Sequence, residues 1–220
     1  MKRIVRRLEN EPEQQLEEVV EQLEEKGINE ADFMQMIMEE INSKTLNIIG
    51  TFNEDMVKYV RSFVNNLWYY EDDTRRPLYV NISSRGGEVD ALFSILDMLD
   101  DCKEEWDCTI ITKCDGYAHS CGFILFCYGS ERYMGKHGDL MCHAISYGMN
   151  GFIQNHEQEL KRTKVVQKKL DKIITSNTPI TQKQLNKWYR EGDRFIDYED
   201  ALKLGLITIG DEGNNRDGNK

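Results

Sequence analysis

Residues 78–99, LYVNISSRGGEVDALFSILDML, contain the alternation on which the fold of this chain depends. The stretch opens with a short apolar strand pattern at 78–82 and closes with helical periodicity at 91–99. Between them, residues 83–87 predict a turn, because paired glycines give the backbone dihedral freedom. A strand followed at once by a helix indicates an α/β fold with crossover connections.

The same alternation continues on both sides of this stretch. Further strands are predicted at 45–49, 109–112, 131–134 and 140–142, and further helices at 53–69, 120–126, 154–174, 181–189 and 197–205. The helix at 154–174 is the longest, and one of its faces is basic. Such a basic face is more often simply exposed to solvent than used as a binding surface.

The N-terminal region differs in composition from the rest of the chain. Its first 50 residues hold twelve acidic and six basic side chains, which contribute −6 of the net charge of −11. Apolar residues at helical spacing predict two helices between 13 and 41. We therefore divide the chain into an acidic helical extension at 1–42, a main domain at 43–211 and a flexible polar tail at 212–220.

Composition excludes several classes of protein. With 28 Lys and Arg against 39 Asp and Glu, the chain is acidic, which argues against nucleic-acid binding. No apolar run approaches the roughly 20 residues that span a bilayer, and the basic N-terminus lacks the apolar region of a secretory signal. We expect a soluble cytoplasmic protein that does not bind membranes.

The six cysteines are expected to be reduced and mostly buried. They are Cys102, Cys108, Cys114, Cys121, Cys127 and Cys142, and no two of them form a Cys-x-x-Cys pair. A zinc site is therefore not expected, and no other feature of the sequence calls for a metal or a cofactor.

A candidate nucleophile lies in Gly116-Tyr-Ala-His-Ser-Cys-Gly122. Ser120 stands among small residues where a strand gives way to an apolar helix. Free N–H groups and the helix dipole at such a point favour the negative charge of a nucleophile and its oxyanion. Taken alone, a serine that caps the helix is the simpler interpretation.

A candidate base lies at the end of the apolar segment Leu140-Met-Cys-His143. A lone histidine there is usually a hydrogen-bonded core residue, so His143 is weak by itself. His119 adjoins Ser120, but neighbouring residues of one helix point about 100° apart, so it cannot easily take the proton of Ser120.

Taken together and in order, these motifs resemble the proteolytic subunit of the Clp protease, ClpP, from about residue 45 to 211. The Ser-Pro-Gly-Gly turn of that family corresponds to Ser-Arg-Gly-Gly at 84–87, and its Gly-x-Ala-x-Ser-x-Gly motif to Gly116–Gly122. Its C-terminal Arg-Asp-x-Phe pattern is similar to Gly192-Asp-Arg-Phe195. The resemblance implies a crotonase/ClpP-like α/β fold of repeated β-β-α units with a long handle helix, plus the N-terminal helical extension.

The resemblance also implies the site residues. Ser120 corresponds to the nucleophile, His143 to the general base and Asp193 to the third triad member. It further implies an oxyanion hole from the N–H groups of two residues and a strand that pairs with an extended peptide. Those residues are, for the oxyanion hole, Gly87 and Cys121, and, for substrate binding, Gly86, Glu88 and Val89.

Partners follow from the resemblance too. It implies polypeptide substrates, a homo-oligomeric chamber built from rings and an AAA+ unfoldase ATPase. Three departures bear on this: Arg85 replaces Pro, Ala144-Ile145 replaces Gln-Pro, and Glu191-Gly192 replaces a pair that helps couple the rings. Ring size and the use of an ATPase therefore stay open, and the chain is expected to be a divergent member.

Three other functions remain open. The first is a virus-encoded maturation protease that cleaves capsid or scaffold proteins without an ATPase. The second is a crotonase-fold enzyme acting on an acyl-CoA thioester, because fold does not fix function. The third is a non-catalytic subunit that uses its helices only for interaction.

Overall fold

A single mixed sheet forms the centre of the fold. The computed structural model of the chain describes residues 44–70, 77–146, 148 and 152–208, with the side chains of 68–70 and 106 excepted. Within these residues six strands pair into one sheet. All described residues lie in one compact unit. The helices predicted between 13 and 41, the extension at 1–42 and the tail at 212–220 lie outside the described residues and stay predictions.

Five strands follow one another across the sheet in the order β1-β2-β3-β5-β6. Strand β4 pairs with residues 111–114 of β3, whereas β5 pairs with residues 117–119 of the same strand. Every pairing is parallel except that of β5 with β6, which is antiparallel. The strands are β1 (Thr45–Phe52), β2 (Leu78–Gly87), β3 (Ile110–His119), β4 (Glu131–Met134), β5 (Asp139–Cys142) and β6 (Arg194–Ile196).

Helices connect the strands and cover the sheet. They are α1 (Glu54–Tyr70), α2 (Val89–Trp106), α3 (Cys121–Tyr128), α4 (Ile153–Asn177), α5 (Gln182–Glu191) and α6 (Tyr198–Lys203). Parallel neighbours need such crossovers, because a tight turn can join only antiparallel strands. The α/β fold expected from the sequence is confirmed. No helix within the described residues is both long enough and apolar enough to cross a membrane.

Helix α3 lies within the hydrophobic core, and all eight of its residues are buried. It packs against β2 and β3. The helix approaches β2 closely because Gly122 has no side chain: a Cβ there would lie 3.1 Å from the carbonyl oxygen of Ser84. A helix apolar all round is stable only when enclosed in this way.

Two sequence predictions need correction. Residues 83–87 are not a turn, because β2 continues to Gly87 and its last residues pair with β1 at Thr51 and Phe52. The strand predicted at 109–112 also continues, as β3, to His119. Polar Lys113 and Asp115 interrupt the apolar pattern there, although the backbone stays in the sheet.

Arg132 on β4 ties the C-terminal segment to the core. Its buried guanidinium donates hydrogen bonds to the carbonyl oxygens of Leu206 (2.7 Å), Gly129 (2.8 Å) and Asn177 (2.9 Å). Its backbone N–H also donates to Thr208 Oγ1 at 2.6 Å. A planar guanidinium suits this task, since its donors point in several fixed directions.

Candidate active site

Ser120 occupies a strained junction between β3 and α3. Its φ is 54° and its ψ is −116°, a conformation that residues with a Cβ rarely adopt. Its N–H donates to the carbonyl oxygen of Met141 at 2.9 Å, so β5 holds the serine in place. Its half-buried side chain makes no capping hydrogen bond to the helix that begins at the next residue.

His143 lies one residue beyond the end of β5, next to this serine. Its Nε2 is 2.7 Å from Ser120 Oγ, a hydrogen bond across 23 residues of sequence. A hydroxyl and an imidazole nitrogen at this separation are within reach of direct proton transfer. Ser120 and His143 thus form the pair that a nucleophile and its general base require.

His119 is engaged elsewhere. Its Nε2 lies 2.8 Å from Asp139 Oδ2, and its ring packs edge-to-face on Phe195 with centroids 5.9 Å apart. The ring is buried, and its Nε2 is bonded to the carboxyl group of Asp139. His119 therefore joins β3 to β5 and to β6, and it does not compete for Ser120.

Asp193 directly precedes β6, and its side chain is not hydrogen-bonded to the imidazole of His143 within the described residues. The antiparallel register of β5 and β6 ends with the pair Cys142 and Arg194. His143 directly follows Cys142, and Asp193 directly precedes Arg194. The Asp193 side chain is exposed, and among the described residues no hydrogen bond joins it to His143. The backbones therefore bring the three predicted triad positions to one corner of the sheet, with the carboxyl group turned to solvent.

Two glycines at the end of β2 allow close packing, Gly86 against the serine and Gly87 against β1. Gly86 has a φ of +101°, and a Cβ there would lie 2.6 Å from Ser120 Cβ and 3.0 Å from its Oγ. Gly87 has a φ of +150°, and a Cβ there would collide with the backbone of Phe52. Both positions therefore require glycine for reasons of conformation and of space.

The predicted oxyanion donors lie close together. Cys121 is the first residue of α3, so its N–H has no partner within the helix. Its thiol is 3.4 Å from the carbonyl oxygen of Gly87 and donates to it, which joins the end of β2 to the start of α3. Developing negative charge beside Ser120 would meet the positive end of the α3 dipole.

A cleft of about 480 Å³, part of it open solvent, adjoins Ser120. Its walls are mainly apolar, and polar groups from α4 and α5 form part of them. The residues that line it are Gly87, Val89, Ser120, Cys121, Phe123, Ile124, Cys142, His143, Ile145, Ser146, Gln167, Leu170, Ile174 and Tyr189. Such a cleft suits an apolar side chain of a bound substrate.

The segment after Gly87 differs from the expectation of a peptide-pairing strand. Helix α2 begins at Val89, and Glu88 precedes it with its N–H bonded to the Phe52 carbonyl at 2.8 Å. The Glu88 carbonyl accepts from Leu92, so neither backbone group of Glu88 is free to pair with a peptide. Val89 lines the cleft. Roles for Gly86, Glu88 and Val89 in binding substrate stay predictions.

The cysteines are free and buried, as expected. Two of them line the cleft, and burial raises the pKa of Cys121 to about 11 and that of Cys142 to about 12. Both are therefore protonated thiols at neutral pH and poor nucleophiles. Among the described residues no three His, Cys, Asp or Glu side chains converge as metal ligands would.

A hydrogen-bonded cluster beside the cleft could not be anticipated from the sequence. Asp171 on α4 is only 5% exposed, and its Oδ1 accepts from Gln167 Nε2 and from the Tyr189 hydroxyl, both at 2.7 Å. Its Oδ2 accepts from Gln182 Nε2 at 2.6 Å. The spacing of Gln167 and Asp171, one helical turn, was the only available signal, and it does not point to α5.

Similarity to known proteins identifies the family. A family model described as Clp protease matches residues 27–210. The chain belongs to the Clp protease family. It is also 28% identical over 169 residues to the "ATP-dependent Clp protease proteolytic subunit 2" of Bacillus licheniformis, an alignment that covers 76% of this chain and 85% of that protein.

Membership in the Clp protease family confirms the resemblance seen in the sequence motifs and makes the chain a hydrolase of the peptidase type. At 28% identity the chain is a divergent member. The family match includes every residue of the site, from Gly86 to Asp193.

Proposed function

We propose that this chain is a serine endopeptidase in which Ser120 attacks the carbonyl carbon of a peptide bond. The observation that carries the proposal is the 2.7 Å contact between Ser120 Oγ and His143 Nε2, made by a serine in a strained conformation. A serine that only capped the helix would bond to the N–H groups of α3, but Ser120 makes no such side-chain bond.

In the proposed mechanism His143 accepts the hydroxyl proton as Ser120 Oγ bonds to the carbonyl carbon. The N–H groups of Gly87 and Cys121 stabilise the oxyanion of the tetrahedral intermediate. His143 then gives the proton to the departing amine, which leaves an ester on Ser120. Water hydrolyses that ester by the same route in reverse, with His143 again as the base.

Asp193 is proposed as the residue that orients the imidazole. The β5–β6 register supports this role, since its last pair, Cys142 and Arg194, consists of the residues adjacent to His143 and Asp193 in the chain. In the proposed active form the Asp193 carboxyl group lies against Nδ1 of His143. In that position it would fix the tautomer and stabilise the imidazolium.

Assembly into a homo-oligomer is proposed from the exposed surface of α4. Four large apolar side chains stand in solvent on or beside this helix, and their exposed fractions are 79% for Phe152, 76% for Ile153, 56% for Val165 and 42% for Leu160. Apolar groups gathered on one element are typical of a contact surface. The relative's name mentions dependence on ATP, and we propose an AAA+ ATPase as a partner of this chain on that ground alone.

The test is intact-mass spectrometry after treatment with a fluorophosphonate, with Ser120→Ala and Asp193→Asn beside the native protein. We expect a single adduct on the native chain, none on Ser120→Ala and slower labelling of Asp193→Asn. Hydrolysis of a fluorogenic peptide should follow the same order. An adduct that persists in Ser120→Ala would refute the assignment of the nucleophile, and equal rates for Asp193→Asn would refute that of the acid.

A further inference from the structure

The segment that carries His143 leaves the sheet before it reaches the histidine. Strand β5 ends at Cys142, and residues 143–146 belong to no strand or helix. Backbone pairing therefore stops one residue short of the imidazole. A side chain that must lie 2.7 Å from Ser120 needs some other support.

The Asp171 cluster contacts this segment on both sides of His143. On the C-terminal side, the Ile145 N–H donates to Gln167 Oε1 at 2.7 Å. On the N-terminal side, Tyr189 and Cys142 line the same cleft, and the Tyr189 hydroxyl is near enough to influence the pKa of the Cys142 thiol. Gln167 and Tyr189 are joined to each other as well, with Gln167 Nε2 donating to the Tyr189 oxygen at 3.1 Å.

Asp171 fixes the direction of every bond in this cluster. An ionised carboxylate can only accept, so Gln167 must present its amide nitrogen to Asp171 and its oxygen to Ile145. Tyr189 must likewise turn its proton toward Asp171. Within the described residues no Lys or Arg pairs with Asp171, so these donors alone satisfy a nearly buried charge.

We propose that Asp171 is a positioning residue of the active site. Through Gln167 and Tyr189 it holds the chain before and after His143, and so keeps the imidazole against Ser120. Asp171 itself does not line the cleft and touches neither reacting group. This inference rests on the proposed peptidase function, because it assigns Asp171 a role in that reaction.

The chain offers a matched control within the same cluster. Gln182 donates to Asp171 Oδ2 at 2.6 Å, a bond as short as the others. Its other hydrogen bond among the described residues goes to Asn186, and not to residues 143–146 or to the other donors of the cluster. Gln182→Ala removes one hydrogen bond from the same carboxylate and leaves the path to Ile145 and Cys142 intact. Asp171→Asn keeps the size of the side chain but turns one acceptor into a donor.

The experiment measures three quantities on the full chain: the rate of labelling by diisopropyl fluorophosphate, kcat and KM for a fluorogenic peptide, and the melting temperature. This small reagent carries no peptide, so its rate reports on the Ser120–His143 pair and not on the cleft. Since a misplacement of about 1 Å can cost up to about 10²-fold, we expect Asp171→Asn and Tyr189→Phe to lower kcat and labelling by about tenfold. KM should change by less than about twofold, and Gln182→Ala should stay within about twofold of the native protein in all rates.

Several outcomes would overturn the proposal. Equal losses of kcat in Asp171→Asn and Gln182→Ala would mean that the cluster only supports the fold. A change confined to KM would mean that it shapes the cleft. Should Asp171→Asn not fold, Tyr189→Phe decides the matter by the same criteria. A native protein that is neither labelled nor active would refute the proposed peptidase function and this inference with it, whereas an active native protein with unaffected variants would refute the inference alone.

Discussion

Replacing Gly86 with alanine should inactivate the enzyme while leaving it folded. Gly86 is in direct contact with the proposed nucleophile, because a Cβ at this position would lie 2.6 Å from Ser120 Cβ. The same Cβ would lie 3.1 Å from the carbonyl oxygen of His119, so a small shift of the methyl group away from Ser120 would bring it against this oxygen. The new methyl group must push Ser120 or the end of β2 aside.

The size of the effect follows from two separate costs. Carbon atoms pack at about 3.5–4.0 Å, so the 2.6 Å contact must open by about 1 Å. A shift of about 1 Å in a reacting group can lower the rate by about 10²-fold. In addition, alanine at a φ of +101° is strained by about 1–3 kcal/mol, which lowers stability and not the rate itself.

Gly50→Ala separates these two costs. Gly50 has a nearly equal φ of +95°, but a Cβ there would meet nothing within 4 Å. Both variants should lose stability in urea denaturation through backbone strain, and Gly86→Ala should lose more because its methyl group also displaces packed atoms. Only Gly86→Ala should lose fluorophosphonate labelling and peptide hydrolysis, by about 10²-fold.

The reasoning is refuted if Gly86→Ala is labelled at the native rate. It is also refuted if Gly50→Ala loses activity to the same extent, because backbone strain without a steric clash against Ser120 would then explain the loss. Native circular dichroism of Gly86→Ala at the assay temperature is the necessary control for folding.

Three further predictions concern stability and the thiols. Arg132→Met should lower the free energy of unfolding by about 2–4 kcal/mol, because three carbonyl oxygens lose a charged donor; an unchanged urea midpoint would contradict this. Thr181→Ala should cost about 1 kcal/mol in the same assay, since Thr181 and Gln184 form a capping box at the start of α5, and a loss below about 0.3 kcal/mol would count against it. DTNB at pH 8 should react with the six cysteines only after unfolding, because burial keeps the pKa of Cys121 at about 11 and that of Cys142 at about 12; rapid reaction of the native protein would show that these thiols are accessible.

The regular part of the fold could be read from apolar periodicity. The helix predicted at 53–69 is observed at Glu54–Tyr70, and the strand predicted at 131–134 is observed at Glu131–Met134. The helix predicted at 91–99 is observed from Val89 to Trp106. The prediction ended too early because the last turns of the helix are rich in charged residues and carry little apolar signal. Packing on the sheet and helix propensity extend it further than periodicity indicates.

Other parts could not be predicted because their cause lies in distant residues. Strand β6 has three residues, too few for any alternation, and it exists because it pairs with β5. The bonds between Asp171 and Tyr189 connect two helices whose relative placement no local pattern encodes. Ser120 and His143 were singled out by motif order, but their 2.7 Å separation depends on neighbouring strands of the sheet.

The three proposed triad members sit on elements of very different robustness. Ser120 and His143 extend from strands in the interior of the sheet, whereas Asp193 precedes β6, a three-residue strand at the sheet edge. Such an edge opens with a much smaller free energy than the global unfolding of the domain. Detaching it would remove the orienting acid while the nucleophile and base stay in contact. Local opening of the sheet edge at β6 could therefore inactivate the enzyme at temperatures and denaturant concentrations where the rest of the molecule is still native.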